Sequence, residues 1–357
     1  MEEFTSVFLM ILLVASALAV LYVRNLFVAT MLLGAVSFIM ALIFVTLDAV
    51  DVAFTEAAVG AGISTVLYLG TLALVGPHEK GSIKKPVLPL LLSLAVGGVL
   101  IYATFEMPIV GSPDTPVQQS RLTERFLVQS LDEIAVPNIV TSVLASYRGF
   151  DTFGETTVIF TAGIAVLLIL SQVRVRRKED EADGEVEDEH DSVEAQLAPQ
   201  IKDTSAPSAS PHDLIPHVVA KLLIPFVLLF GFYVQFHGDF GPGGGFQAGV
   251  IFAAGFILYS LVFGLEFTQK LLPLRVVEYG LAAGVLLYGG VGVVSMLLGG
   301  NFLDYNLLAA DPVAGQHLGI LLVELGVGIT VTAAMVAIFY GFAGRSEVKK
   351  KNEVEAK

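Results

Sequence analysis

The 357-residue sequence contains no cysteine, which excludes disulfides, thiolate-held metals and iron–sulfur clusters. Any redox chemistry associated with the chain must therefore belong to a partner. Charge is also scarce. Asp, Glu, Lys and Arg make up 15% of the residues, against roughly 25% in soluble domains, which need a wettable surface. A soluble globular enzyme is excluded. The sequence has no phosphate-binding loop, His-x-x-x-His pair or Gly-x-Ser-x-Gly elbow, and its six histidines are scattered, so neither a catalytic site nor a cofactor is expected. The formal net charge of −14 is uneven: Arg174 to His217, with 12 Asp/Glu against 5 Lys/Arg, carries half of it. Nothing here resembles a nucleic-acid footprint, which is basic.

What is abundant is apolar. Hydrophobic residues make up 55% of the chain and the mean hydropathy is +0.76. They lie in blocks long enough to cross a bilayer, at about 20 residues per helix. Nine blocks qualify: Phe4–Val23, Leu26–Thr46, Val52–Val75, Pro86–Phe105, Thr152–Val173, Val218–Phe236, Phe246–Gly264, Val276–Leu298 and Gln316–Phe342. The first opens with Glu2 and Glu3 and lacks the basic flank of a signal peptide. With the N-terminus outside and nine spans, 17 of the 20 Lys/Arg face the cytoplasm. Only Arg121, Arg125 and Arg148 face out, as the positive-inside bias requires. The expected fold is an all-α polytopic membrane protein with nine transmembrane helices and a cytoplasmic C-terminus.

Two stretches are not spans. Glu106 to Asp151 is broken by Pro108, Pro113, Pro116 and Pro137. Within it, Leu127 to Tyr147 alternates apolar and polar residues and is expected to lie along the outer interface. Lys178 to His217 is acidic and then rich in Pro, Ser and Ala. It has too few apolar groups to offset the entropy of ordering and is expected to be a flexible linker. The organisation is thus a three-helix module (1–80), a two-helix module with the interfacial segment (81–176), an acidic linker (177–216), a four-helix domain (217–345) and a charged tail (346–357).

An ionised carboxylate at mid-bilayer costs roughly 2.5–3.5 kcal/mol on insertion scales, so it needs a proton, a partner or water. The candidates are few: Asp51 and Glu56 in the third span, Asp151 and Glu155 at the start of the fifth, and His317 and Glu324 in the ninth. His237 ends the sixth span, before Pro242, Gly243, Gly244, Gly245 and Phe246. By the topology, the third, fifth and ninth spans begin outside and the sixth ends there. Glu56 and Glu324 should then sit about 8–10 Å below the outer boundary, at 1.5 Å per residue, with Glu155, His237 and His317 above them. One outer layer of titratable groups suits a half-channel for protons or sodium ions, with transient Na⁺ contacts at Glu56, Glu155 and Glu324 and no permanent metal site. Plainer readings stand beside this one. Asp151 and Glu155 are suited to capping a helix start, His237 and His317 to an interface, and Glu56 and Glu324 to a structural hydrogen bond. The glycine run is either a tight turn or a set of backbone groups offered to an ion. Small residues at spacing four (Ala53/Ala57/Ala61, Gly280/Gly284, Gly326/Thr330/Ala334) mark close helix contacts.

Three patches carry a family resemblance. "FYVQFHGDFGPGGGFQAGVIFAAGFIL" with "GQHLGILLVELGVGITVTAAMV" resembles the MrpB-type component of the Mrp-type multisubunit Na⁺/H⁺ antiporters. "DVAFTEAAVGAGISTVLYLGTL" resembles the three-span module at the C-terminal end of the large MrpA-type component, also found as a separate subunit of energy-converting membrane-bound hydrogenases. "VPNIVTSVLASYRGFDTFGETTVIFTAGIAVLL" resembles the adjoining two-span module. The sequence departs from the pattern by fusing the three, and by the longer run His-Gly-Asp-Phe-Gly before the Pro-Gly-Gly-Gly-Phe turn. The resemblance implies a transport subunit coupling proton to sodium movement, with Glu56, Glu155, His237, Pro242 and Phe246 at positions implicated in antiport. It also implies partners: the other antiporter subunits within the lipid bilayer, and in some complexes a hydrogenase-like redox arm. A non-conducting scaffold is the competing expectation.

Overall fold

The computed structural model describes residues 2–79, 87–109, 111–184 and 211–355. Nine helices among them are long and apolar enough to span a membrane: Phe4–Tyr22, Leu26–Thr46, Val50–Val75, Val87–Thr104, Gly149–Ile169, Ile215–His237, Gly245–Phe263, Leu274–Leu297 and Pro312–Gly344. The described residues form no strand, only one isolated bridge between Asn25 and His78. Apolar runs of this length must bond their own backbone groups internally, because lipid offers no partners. Polar side chains follow the same rule. Thr30, Thr71 and Thr156 return their hydroxyls to the carbonyl four residues back, and Asn25 caps the second span by accepting the N–H groups of Phe27 and Val28.

The ninth span is the centre of the bundle. It packs most extensively on the eighth and seventh, then on the fifth and the second half of the third. Small residues permit the closest approach: a side chain on Gly284 would strike Thr330 Oγ1 and the Gly326 carbonyl, so the eighth and ninth spans meet backbone to backbone. The first three spans form their own unit. The chain leaving the third returns over the start of the second, where Leu26 N–H donates to the Pro77 carbonyl (2.8 Å). The third span is not uniformly α-helical, since Ala57–Ile63 winds as a π-helix. No residue of the fourth span is buried.

Two expectations need correction. The segment before the fifth span does more than lie on a surface. It folds into short helical turns between Arg121 and Tyr147, and Ile134, Val136 and Ala145 are buried in the main core. A clip closes its outer side: Arg125 pairs with Glu133 (3.0 Å) and the Tyr147 hydroxyl donates to the same carboxylate (2.5 Å). Those hydrogen bonds hold the Glu133 carboxyl below its ordinary value. Burial first, and Glu133 second, push the Tyr147 phenol up to about 12. The second correction concerns the linker. The fifth helix continues to Gly184 and the next begins at Pro211, entering the expected linker from both ends. Arg, Lys, Glu and Ala at 176–182 are good helix formers with opposite charges four apart. The rest of the acidic stretch lies outside the described residues.

Candidate functional site

The sixth span closes at His237, whose carbonyl accepts the N–H groups of Phe240 and Gly241. The chain then reverses to start the seventh at Gly245. Gly244 takes φ 109, ψ −175, a backbone region essentially confined to glycine, and its N–H donates to the Val234 carbonyl (3.0 Å). The turn's carbonyls are occupied. Asn138 Nδ2 donates to Gly238 O (3.0 Å) and Gly241 O (2.9 Å), Thr141 Oγ1 donates to Gly238 O (2.6 Å), and Asn138 N–H donates to Asp239 O (3.0 Å). Of the two readings of the glycine run, the structural turn accounts for these groups. One N–H of the run meets an acid: Gly243 N–H donates to Asp51 Oδ1 (3.3 Å).

Beneath the turn lies a cavity of about 600 Å³ lined by Asp51, Thr55, Glu155, Gln247, Tyr288 and Glu324, with Gly243–Phe246 as one wall. Glu324 rests on the turn, its Oε1 3.0 Å from where a Gly244 side chain would begin and 3.3 Å from the same point on Gly238. The seventh and ninth spans approach closely enough to hold it there, because a side chain on Gly245 would strike the Glu324 carbonyl. Asp51 and Asp239 are near enough to act electrostatically on Glu324. Gln247 Nε2 donates to Thr55 Oγ1 (3.0 Å) and fastens the third span to the seventh. Two fully buried phenols hold the fifth span's entrance: Tyr288 donates to Gly149 O (2.7 Å) and Tyr305 to Ala145 O (2.9 Å). Burial also raises the Tyr305 phenol above its ordinary value. Both hydroxyl protons are spent on structural bonds.

The expected single layer of titratable groups is only partly assembled. Asp51, Glu155 and Glu324 share the cavity, with Glu155 at its exposed rim. Asp151 turns away and pairs with Arg148 (2.5 Å); an arginine three residues earlier outcompetes the cavity for it. Glu56 faces the other side of the third span, about 100° round the helix from Thr55. Its Oε1 and Ser37 Oγ each lie 2.5 Å from the point a Gly60 side chain would take, which places it between the second and third spans. His237 is also outside: its ring folds back onto Tyr233 (centroids 4.9 Å) and lines a second, apolar cavity of about 450 Å³ with Pro242. The turn thus divides an acidic cavity from a greasy one. His317 Nδ1 lies 3.7 Å from Asp239 Oδ2 at the mouth. Among the described residues, no three His, Asp or Glu side chains converge closely enough to hold a metal ion. Asn138, Thr141, Asp239, Gln247, Tyr288 and Tyr305 were not singled out from the sequence. Asn138 is legible only as a helix cap before Ile139, since its carbonyl partners lie 100 and 103 positions away.

Nine spans in three units around an acidic cavity define a multi-pass protein of the cell membrane, of the kind found in ion-transport complexes. Residues 215–337 match the family model MnhB, described as "Domain related to MnhB subunit of Na+/H+ antiporter"; residues 11–77 match the MBH family model MbhD and residues 87–183 match the MBH family model MbhE. A putative antiporter subunit mnhB2 of Staphylococcus aureus (strain Newman) is 35% identical over 138 residues, which covers 37% of this chain and 96% of that one. The chain belongs to this antiporter subunit family, with MbhD-type and MbhE-type modules fused ahead of the MnhB-type domain. It is also 27% identical over 328 residues to a probable K⁺/H⁺ antiporter protein of the fused A/B type from Rhizobium meliloti (strain 1021), covering 88% of this chain and 32% of the relative. In the solved Mrp complex from Dietzia sp. DQ12-45-1b, one chain superposes with TM-score 0.72 at 26% identity, covering 94% of this chain and 34% of that one. The chain thus spans about a third of the length of these last two.

Proposed function

We propose that the chain is the cation-side, connecting part of an Mrp-type antiporter's membrane arm, working with the other antiporter subunits to exchange Na⁺ for H⁺. In this reading the N-terminus lies outside and the acidic cavity opens toward the outer face. The arm either stands alone, driven by the proton gradient, or is attached to a redox unit. The chain itself contributes a transport path rather than a catalytic site. The observation that supports this most is the meeting of carboxylates from the third, fifth and ninth spans on one cavity, although each is costly in a bilayer. A carboxylate reached by water holds either a proton or a cation, and that competition is the elementary step of exchange. The engaged carbonyls of the turn and the two buried phenols favour a second reading, a scaffold locking pump subunits together.

The test is Glu324→Gln in everted vesicles carrying the whole complex, with cation-dependent release of a proton gradient read for Na⁺ and K⁺ separately. Transport should fall at least about tenfold while the complex still assembles. Normal transport of both cations would leave only the scaffold. Normal Na⁺ response with lost K⁺ response would overturn the choice of cation.

A further inference from the structure

We propose that Asn138 is a positioning residue that sets the separation of Asp51 and Glu324 from outside the cavity. The inference rests on the reading of that cavity as an ion path. Asn138 stands where the three units of the chain meet. It belongs to the segment before the fifth span, and both protons of its Nδ2 go to carbonyls of the glycine turn, Gly238 O and Gly241 O. Its backbone N–H goes to Asp239 O, and its carboxamide faces Asp51 in the third span. Its Oδ1 is fixed by the Val140 N–H (3.0 Å), so the carboxamide cannot rotate without losing every partner. Buried Thr141, three residues on, adds a second bond to Gly238 O.

The turn so held is the one that binds Asp51 through Gly243 N–H and supports the Glu324 carboxylate over Gly238 and Gly244. Asn138 does not line the cavity. Its effect on an ion must therefore pass through the turn to the two acids.

Two variants separate positioning from bulk stability. Asn138→Ala removes both donors. Asn138→Asp keeps the shape, replaces the donors with acceptors facing carbonyls, and places a new charge beside Asp51. With the whole complex in everted vesicles, each should raise the apparent KM for Na⁺ about fivefold to tenfold while the maximal rate stays within about twofold. The aspartate alone should also move the pH profile toward alkaline values. The titratable groups at the cavity and its mouth are Asp51, Asp239, Glu155, Glu324 and His317, and an added carboxylate makes ionisation of the acids among them costlier, so protons are released at higher pH. Assembled variants with wild-type KM and pH profile would overturn the proposal. So would loss of assembly in both, which would make the residue's role purely structural. Glu324→Gln in the same vesicles keeps the two readings apart. If it is inactive while the Asn138 variants behave as wild type, only this inference falls; if it transports normally, both do.

Discussion

Gly244 and Gly76 offer a matched pair of perturbations. Both adopt conformations confined to glycine, at φ 109, ψ −175 and φ 86, ψ 165 respectively. An alanine forced into that region costs about 1–3 kcal/mol. Nothing lies within 4 Å of a side chain added at Gly76, whereas one added at Gly244 meets Glu324 Oε1 at 3.0 Å. A carboxylate can retreat by the few tenths of an ångström needed, so the extra contact adds under about 1 kcal/mol. The stability cost of Gly244→Ala should therefore match that of Gly76→Ala to within about 1 kcal/mol, or a few degrees in the thermal midpoint of the complex in detergent. Transport should separate them sharply. Gly76→Ala should keep wild-type cation exchange in vesicles, and Gly244→Ala should lose most of it because Glu324 has been pushed off the turn. Equal transport by the two alanine variants, at equal assembly, would refute the claim that the turn positions this carboxylate.

Tyr288→Phe leaves the buried Gly149 carbonyl without its phenol donor and should cost about 1–3 kcal/mol. The drop in thermal midpoint should be absent from Tyr279→Phe, whose ring is 74% exposed; equal midpoints would remove Tyr288 from the seam. At the Arg125–Glu133–Tyr147 clip, the raised phenol adds stability that is complete below its ordinary value of 10.0 and is lost as pH rises toward about 12. The lowered Glu133 carboxyl contributes above its ordinary value of 4.5 and loses its contribution as pH falls below it. Ultraviolet difference titration of wild type against Tyr147→Phe should show one tyrosine ionising near 12, with a stability change under about 1 kcal/mol at neutral pH, because Arg125 and Glu133 are exposed. A transition at the ordinary value would show that the clip is open.

The helices were legible because apolar length and charge bias are properties of single segments. All nine blocks became spans, and the end-to-end alternation brought the third, fifth, sixth and ninth spans together at the turn as expected. What a span faces was less legible. Asp51 and Glu56 are five residues apart, and only the helix's rotation decides that one lines the acidic cavity while the other turns to Ser37. A sequence-level depth estimate could place them in one layer but not on one face. His237 shows the same limit, since a tyrosine one turn back provides a closer surface than the cavity does. Asn138 and the two phenols were invisible for another reason. Their partners are backbone carbonyls of distant segments, and backbone atoms leave no trace in residue type.

That last property has a consequence for the phenols at positions 288 and 305. A latch that grips main-chain oxygen is indifferent to which side chains decorate the strip it holds, so positions 145 to 149 are free to change so long as the strip keeps its path. Nor does such a latch depend on covalent continuity. The same two hydroxyls would dock the strip equally well if it arrived on a separate polypeptide, which makes fusing or splitting the chain at the acidic linker a change the membrane bundle need not register.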